Sequence, residues 1–420
     1  MGTPIQFIVV LLCSVYTMSD GCDELFEGFG VHLGAMGHFS QSLPSMVQQV
    51  FDKTYNDLEI RYYRTSYESK FSPSRDVYEI KCESPPNTIC SYIDIHHEIA
   101  KYPDIHVMAS IWSPPLYMKN NELSTLLVSE ELNYYYYIKN ITNLIKDQFN
   151  ITIERVSPVN EPENVFATWE HTSMTPQQLC RMVHDFNDPH ISVCPENSYF
   201  WISEAYSNTT ENATVTCLES CEIFGTHAYA LHLGDDDDNL LAYYDQVKYA
   251  RKVPNVPIWQ TEVSSTWGRS SERQMEEALD MSVNIANFVG HTCIQRYYLW
   301  LAYTLYSSGE SLMWGHDDGS LTLPKKYFAY KHFTHAAAGG TKRVTKCAPD
   351  NIPQVQCLKF GENNAVFVNT LDFVVHWDNI ISCTPGSFCC TSEASDWTCS
   401  NTNSTELNPL SICSCIVQNN

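Results

Sequence analysis

Ser157-Pro158-Val159-Asn160-Glu161-Pro162-Glu163 closes one short apolar run and Ile258-Trp259-Gln260-Thr261-Glu262 closes another, each reaching a carboxylate. Runs of this kind, rich in Val, Ile, Phe and Tyr, recur at 27–33, 58–64, 106–111, 153–160, 191–195, 223–227, 258–262 and 296–300, with longer amphipathic stretches between them. That alternation is the pattern of βα units around a parallel sheet. Tyr137, Ile141, Leu144 and Ile145 fall on one helical stripe, and Met275, Ala278, Leu279, Ser282, Ala286 and Val289 on another, so each helix is expected to lay an apolar face on a barrel wall. Eight units predict an α/β fold, a (β/α)8 TIM barrel.

In such a barrel the functional side chains gather at the C-terminal ends of the strands. Glu161 and Glu262 lie at the ends of the fourth and seventh runs, which sets them across the barrel mouth from each other. Breaking a glycosidic bond takes one carboxylic acid to protonate the leaving oxygen and a second carboxylate to stabilise or trap the oxocarbenium-like carbon. Glu161 is read as the acid/base and Glu262 as the nucleophile, a retaining pair that requires roughly 5–5.5 Å between them. Glu163 competes with Glu161; the adjacent Asn160, able to hydrogen-bond a sugar 2-hydroxyl, favours Glu161. Arg64 ends the second run, where a guanidinium would hold Glu262 ionised or form a structural ion pair. Trp112 and Trp300 end the third and eighth runs, where an indole stacks on a pyranose or packs in the core. Counting alternate residues back from Glu262 points Trp259 outward, among the helices.

Several stretches together resemble glycoside hydrolase family 30 over most of residues 26–345: Gly28-Phe29-Gly30, 110–120 with its Trp112-Ser113-Pro114-Pro115 core, Asn160-Glu161-Pro162-Glu163, His227-Ala228-Tyr229, Thr261-Glu262 and 327–340. The resemblance implies a retaining barrel enzyme with its acid/base on strand four (Glu161) and nucleophile on strand seven (Glu262), and Asn160 against the sugar beside the scissile bond. It places His227 and Tyr229 near the nucleophile; a satisfied core histidine is the alternative for His227. No metal or organic cofactor is implied. The family acts on glucosylceramide, β-1,6-glucan, xylan and β-1,6-galactan. Ser157-Pro158-Val159-Asn160-Glu161-Pro162 leans toward the endo-β-1,6-galactanase-like branch, with glucosylceramidase the alternative, so the partner expected is a β-linked polysaccharide or a glycolipid. A glycan-binding protein that kept the barrel and lost turnover is the competing class. Little chain precedes Gly28 to supply the side domain's usual N-terminal strands, so the C-terminal module must be reduced or rearranged.

The apolar run at 4–15 is too short to span a bilayer and reads as part of a signal peptide, 1–19, cleaved before Asp20. The catalytic barrel is assigned to 20–340. After Ala338-Gly339-Gly340 the composition turns to Thr, Asn, Cys and short hydrophobic runs, and 341–420 is read as a cysteine-rich β side domain. Of the 17 cysteines, Cys13 falls in the leader and the rest are even in number, as a disulfide framework in an oxidising lumen requires. Spacing suggests local staples such as Cys82 with Cys90, Cys180 with Cys194, Cys217 with Cys221 and Cys347 with Cys357; paired Cys-x2-Cys units for zinc are absent. Sequons at Asn140, Asn150, Asn208, Asn212 and Asn403 agree with passage through a secretory lumen, toward secretion or the lysosome. A net charge of −24 argues against nucleic acid and anionic membrane surfaces, and Asp235 to Asp238 read as a solvated loop. Beyond the leader no apolar stretch reaches membrane-helix length.

Overall fold

The computed structural model describes residues 25–33, 44–81, 91–120, 124–165, 167, 169–208, 217–227, 229, 256–264, 273–348, 354–376, 387–400 and 406–416. The expected leader, Cys82, Cys90, Asn212, Asn403 and Asp235 to Asp238 lie outside them. The apolar runs form parallel strands β1 (Gly28–His32), β2 (Tyr62–Tyr67), β3 (His106–Ile111), β4 (Ile153–Ser157), β5 (Val193–Asn197), β6 (Ile223–His227), β7 (Ile258–Glu262) and β8 (Arg296–Leu299). They pair in the order β4-β3-β2-β1-β8-β7-β6-β5. Across the remaining seam Val156 N–H donates to His190 O (2.7 Å) and Glu161 N–H to Glu196 O (3.1 Å). The sheet is thus a nearly closed barrel. Strands β1 and β5 to β8 are buried along their whole length, because helices cover one face and the barrel interior fills the other.

The outer layer follows the helical stripes. α1 (Pro44–Phe51) and α2 (Ser91–Ile99) lead to α3 (Glu131–Phe149), which buries Tyr134, Tyr137, Ile138, Ile141, Ile145 and Phe149. α3 stops where Asn150 turns left-handed (φ 58°) and its N–H caps Lys146 O. Of the sequon asparagines described, Asn150 and Asn208 are exposed and Asn140 half-buried. α4 (Pro176–Phe186) starts on the Thr175 hydroxyl, which accepts from Gln178 N–H, with Pro176 in the first turn. α5 (Phe200–Ser207), a single helical turn at Cys217–Ser220 and α6 (Gln274–His291) follow.

Inside the barrel, Met108, Val193, Ile223, Trp259 and Tyr298 form a cluster separate from the main core. It draws on β3, β5, β6, β7 and β8, and five strands can meet only in the interior. Trp259 therefore points inward, with the Arg296 guanidinium 4.0 Å over its ring, contrary to the outward placement expected from alternation. The reason is a bulge: Thr226 pairs with Gln260 but His227 with Glu262, so β7 carries an extra residue and the facing parity flips between Trp259 and Glu262. Gly30 allows the close packing above this cluster. A Cβ there would lie 2.5 Å from the Tyr298 ring and 2.7 Å from Tyr62 O. Gly30→Ala is expected to cost about 1–3 kcal/mol through forced spreading of β1; urea unfolding measures it, and an unchanged midpoint would mean that the strand yields freely.

Beyond β8 the chain forms a small sheet, β9 (Leu301–Leu305), β10 (Ser311–Gly315) and β11 (Leu321–Thr322), and then α7 (Lys325–Ala337). The β domain follows: β12 (Val344–Lys346), β13 (Val355–Phe360), β14 (Asn364–Asn369), β15 (Val375–His376), β16 (Phe388–Ser392), β17 (Ser395–Ser400), β18 (Glu406–Leu407) and β19 (Ser411–Cys415). Six of them make one antiparallel sheet, β12-β13-β14-β19-β16-β17. At the start of the described chain Phe26 exchanges 2.8 Å backbone bonds with Lys342, which ties the barrel's first strand to this domain. α7 is the other seam: buried His332 reaches Ser414 Oγ (2.7 Å) and Thr391 Oγ1 (3.0 Å).

Disulfides Cys347–Cys357, Cys389–Cys399 and Cys390–Cys413 staple this small core, the first as spacing suggested. In the barrel Cys194 pairs with Cys221, which overturns both Cys180 with Cys194 and Cys217 with Cys221. Parallel pairing explains this: Cys194 on β5 lies opposite Phe224, so the turn into β6 brings Cys221 within 5.7 Å (Cα–Cα). Among the described residues no helix is long and apolar enough to cross a membrane.

Candidate active site

The C-terminal strand ends surround a cleft of about 630 Å³ whose floor holds Asn160, Glu161 and Glu262. Glu262 is the last residue of β7, and the bulge below it turns its carboxylate inward. Glu161 follows β4 in a left-handed conformation (φ 45°), and Glu196 on β5 shares that strain (φ 59°). Such conformations are costly for residues with a Cβ and persist where the surroundings enforce them. Here the enforcement is the hydrogen bond from Glu161 N–H to Glu196 O.

Beneath the carboxylates Arg64, fully buried on β2, forks into three bonds. Nη1 donates to Glu262 Oε2 (2.5 Å), and Nη2 to Asn160 Oδ1 (2.6 Å) and Glu196 Oε1 (3.0 Å). The Asn160 oxygen is thereby occupied, leaving its NH2 for a ligand. Glu262 Oε1 accepts from the Tyr229 hydroxyl (2.9 Å), Glu196 Oε2 accepts from Ser110 Oγ (2.5 Å), and His227 Nδ1–H donates to Glu161 Oε1 (2.9 Å). Arg64 and His227 touch the carboxylates from behind and do not line the cleft, so they act on charge and position and not on a ligand directly. Tyr229 does line it.

Charge in this cluster is set by burial against pairing. Burial opposes the His227 cation, but Glu262, Glu161 and Glu196 together lift it to about 10. Burial raises Glu196, yet Arg64, His227 and Ser110 bring it down to about 2. For Glu161 burial is outweighed by the bond and charge of His227, and its carboxyl lies below the ordinary range. For Glu262 burial wins over His227 and Arg64, and its carboxyl lies above. One oxygen of each of Glu161 and Glu262 and one nitrogen of His227 lie within 4.8 Å of one another, a spacing a cation would also accept. A His227 that holds its proton toward Glu161 is no ligand, and Arg64 already supplies the positive charge.

Trp112 and Trp300 line the cleft with centroids 5.7 Å apart, and His32 lies against both, stacked on Trp300 at 4.7 Å and 5.3 Å from Trp112. This aromatic floor comes from β1, β3 and β8. The opposite wall, after β4 and β5, carries Asn164, Trp169, Glu170, Ser198 and Tyr199. Glu163 is turned away: it accepts from Asn197 Nδ2 (2.7 Å) and Ser198 N–H (2.8 Å) and so fastens the β5 loop. Sequence reasoning missed Glu196 and His32. Each stands at a strand end, the same signal that singled out Glu161 and Glu262.

No family model matches the sequence, and no curated protein does. Solved structures do. A GH30 endoxylanase from Clostridium papyrosolvens C71 superposes with a TM-score of 0.64 at 18% identity over 94% of this chain and 97% of that one. The catalytic domain of GH30 xylanase C from Talaromyces cellulolyticus gives 0.68 at 14% identity over 94% and 97%. The fold is that of the family 30 glycoside hydrolases. An endo-β1,6-glucanase also carries it, with a TM-score of 0.63 at 16% identity over 93% of this chain and 92% of that one. In this barrel the two glutamates singled out by sequence line one cleft.

Proposed function

We propose that the chain is a retaining β-glycoside hydrolase with Glu161 as acid/base and Glu262 as nucleophile. The observation that carries this reading is the approach of one carboxylate oxygen of each to within 4.8 Å of the other on the floor of an open cleft, near retaining spacing and short of the roughly 6.5–9.5 Å of inverting pairs. In the first step a Glu262 oxygen bonds to the anomeric carbon as the glycosidic bond breaks, and the Glu161 proton goes to the leaving oxygen. In the second, water attacks that carbon, gives its proton to Glu161, and releases Glu262 as carboxylate. Asn160 offers its NH2 to the 2-hydroxyl, and the Arg64 fork and the Tyr229 hydroxyl hold Glu262 as it leaves. Two convergent carboxylates with separate partners favour turnover over glycan binding alone.

The substrate is proposed to be a β-linked polysaccharide, on the galactanase-like side, with glucosylceramide the alternative. Disulfides on both domains support an oxidising compartment, hence secretion or the lysosome. The wild type assayed on xylan, β-1,6-galactan, β-1,6-glucan and glucosylceramide tests the reading; turnover with retained anomeric configuration is expected, and an inverted product or no turnover of any of the four overturns it.

The pH dependence follows from the shared proton. In the free cleft the lowered pKa of Glu161 and the raised pKa of Glu262 put the single proton on Glu262, because burial there outweighs the Arg64 charge expected to keep it ionised, so turnover requires the proton to pass to Glu161 once a sugar fills the cleft; both limbs of the pH profile belong to the pair. Below the singly protonated range both carboxyls are protonated and no nucleophile remains; above it both are ionised and no acid remains. kcat/KM is therefore expected to trace a bell in the acidic range. A rate still rising through neutral pH would contradict it.

A further inference from the structure

The wall beside Glu161 carries more exposed aromatic surface than a folded chain retains without use. Trp169 and Tyr199 line the cleft yet stand 37% and 41% exposed, and Trp201, just outside, is 53% exposed. The Tyr199 and Trp201 rings are 6.4 Å apart and nearly parallel, at 27°. They sit on a firm base: Tyr199 opens α5, whose Phe200 packs on Phe224 of β6 (5.3 Å) while Ser203 Oγ accepts from Asn197 N–H and donates to Thr226. A rigid, flat, exposed aromatic pair continuous with a cleft suits the apolar face of a ring-shaped polar ligand.

Charge narrows the ligand. Besides the reacting pair the cleft is lined by Glu170, Glu310 and Glu68, the last paired with Lys70 at 2.7 Å outside the lining, and among the described lining residues there is no Lys or Arg. Negative charge concentrated in a cleft repels anions. Glu161, as the acid, faces the leaving group, so the wall next to it belongs to that side of the scissile bond.

Resting on the hydrolase reading, we propose that Tyr199 and Trp201 form a stacking platform for the leaving-group side of a neutral sugar chain. Successive sugars beyond the cleavage point lie on Tyr199 and then Trp201, Trp169 flanks the first, and chains bearing uronic acids are excluded by Glu170 and its neighbours. The enzyme accordingly cuts within chains and gains rate from sugars on the departing side.

The test uses the full glycosylated protein, its Tyr199→Ala and Trp201→Ala variants, and two probes that share a glycone. One is a p-nitrophenyl β-glycoside, with no sugar beyond the bond; the other is a series of neutral oligomers of increasing length from the panel polysaccharide degraded fastest. Trp201→Ala is expected to lower kcat/KM about tenfold on the longer oligomers and leave the aryl glycoside unchanged, with Tyr199→Ala acting from the first departing sugar onward. An equal effect on both probes, or none on the long oligomers while the aryl glycoside still turns over, overturns the platform. If the wild type turns over neither probe, the hydrolase reading fails by itself. Calorimetric binding of neutral xylan, β-1,6-glucan and β-1,6-galactan oligomers then decides the platform: weaker binding by Trp201→Ala supports it, and equal binding or no binding by the wild type overturns it.

Discussion

Glu262→Ala is expected to lower kcat/KM by about 10⁴-fold or more, the usual scale for loss of a covalent nucleophile. The variant keeps the Arg64 bonds to Glu196 and Asn160, so the floor is expected to stay folded and the loss to be chemical. Azide separates the two glutamates. In Glu262→Ala the anion fits where the carboxylate stood and attacks the anomeric carbon from the same face, so a rescued product carries inverted configuration. In Glu161→Ala the glycosyl-enzyme still forms with a good leaving group, and azide displaces Glu262 to give a product of retained configuration. Comparable residual activity in Glu262→Ala and wild type, or the two azide products exchanged, would remove the assignment.

The placement of the two glutamates in the cleft was legible in the sequence because strands buried on both faces read as unbroken apolar runs, and a carboxylate closing such a run stands out. Glu161 and Glu262 stood out for that reason. Glu196 did not, since the expected fifth strand stops at 195 while β5 continues to Asn197 and places that carboxylate inside the cluster. Trp259 was misplaced because alternation assumes two residues per repeat and the β7 bulge inserts one more. The pairing of Cys194 with Cys221 depends on which strands are neighbours, a property of barrel closure that separation along the chain does not encode. Tyr199 and Trp201 carried no pattern at all, because an exposed aromatic differs from a buried one only after the helix beneath it has been placed.

Arg64 carries the largest expected effect on stability. Its guanidinium is fully buried and bonds Glu196 and Glu262 together, and among the described residues His227 is the other cation beside these carboxylates. Removing one partner of a buried ion pair typically costs about 3–5 kcal/mol, and Arg64→Met is expected to fall in that range at pH 7. The cost should shrink on acidification. Glu196 lies at about 2 in the folded chain and an unfolded glutamate at about 4.3, so its ionised form contributes stability above the unfolded value that is lost as pH falls from there toward 2. Without Arg64 that depression largely disappears, and wild type and variant converge as Glu196 is protonated. Arg64→Lys separates position from charge: an ammonium neutralises the carboxylates but cannot fork to Glu262, Asn160 and Glu196 at once. It is expected to recover much of the stability while kcat/KM stays down by about 10²-fold, the scale of a small misplacement of a reacting group. Urea unfolding at pH 7 and pH 3, with kcat/KM for both variants, measures all of this. A destabilisation of Arg64→Met that stays the same at both pH values would show that Glu196 does not depend on Arg64 for its charge.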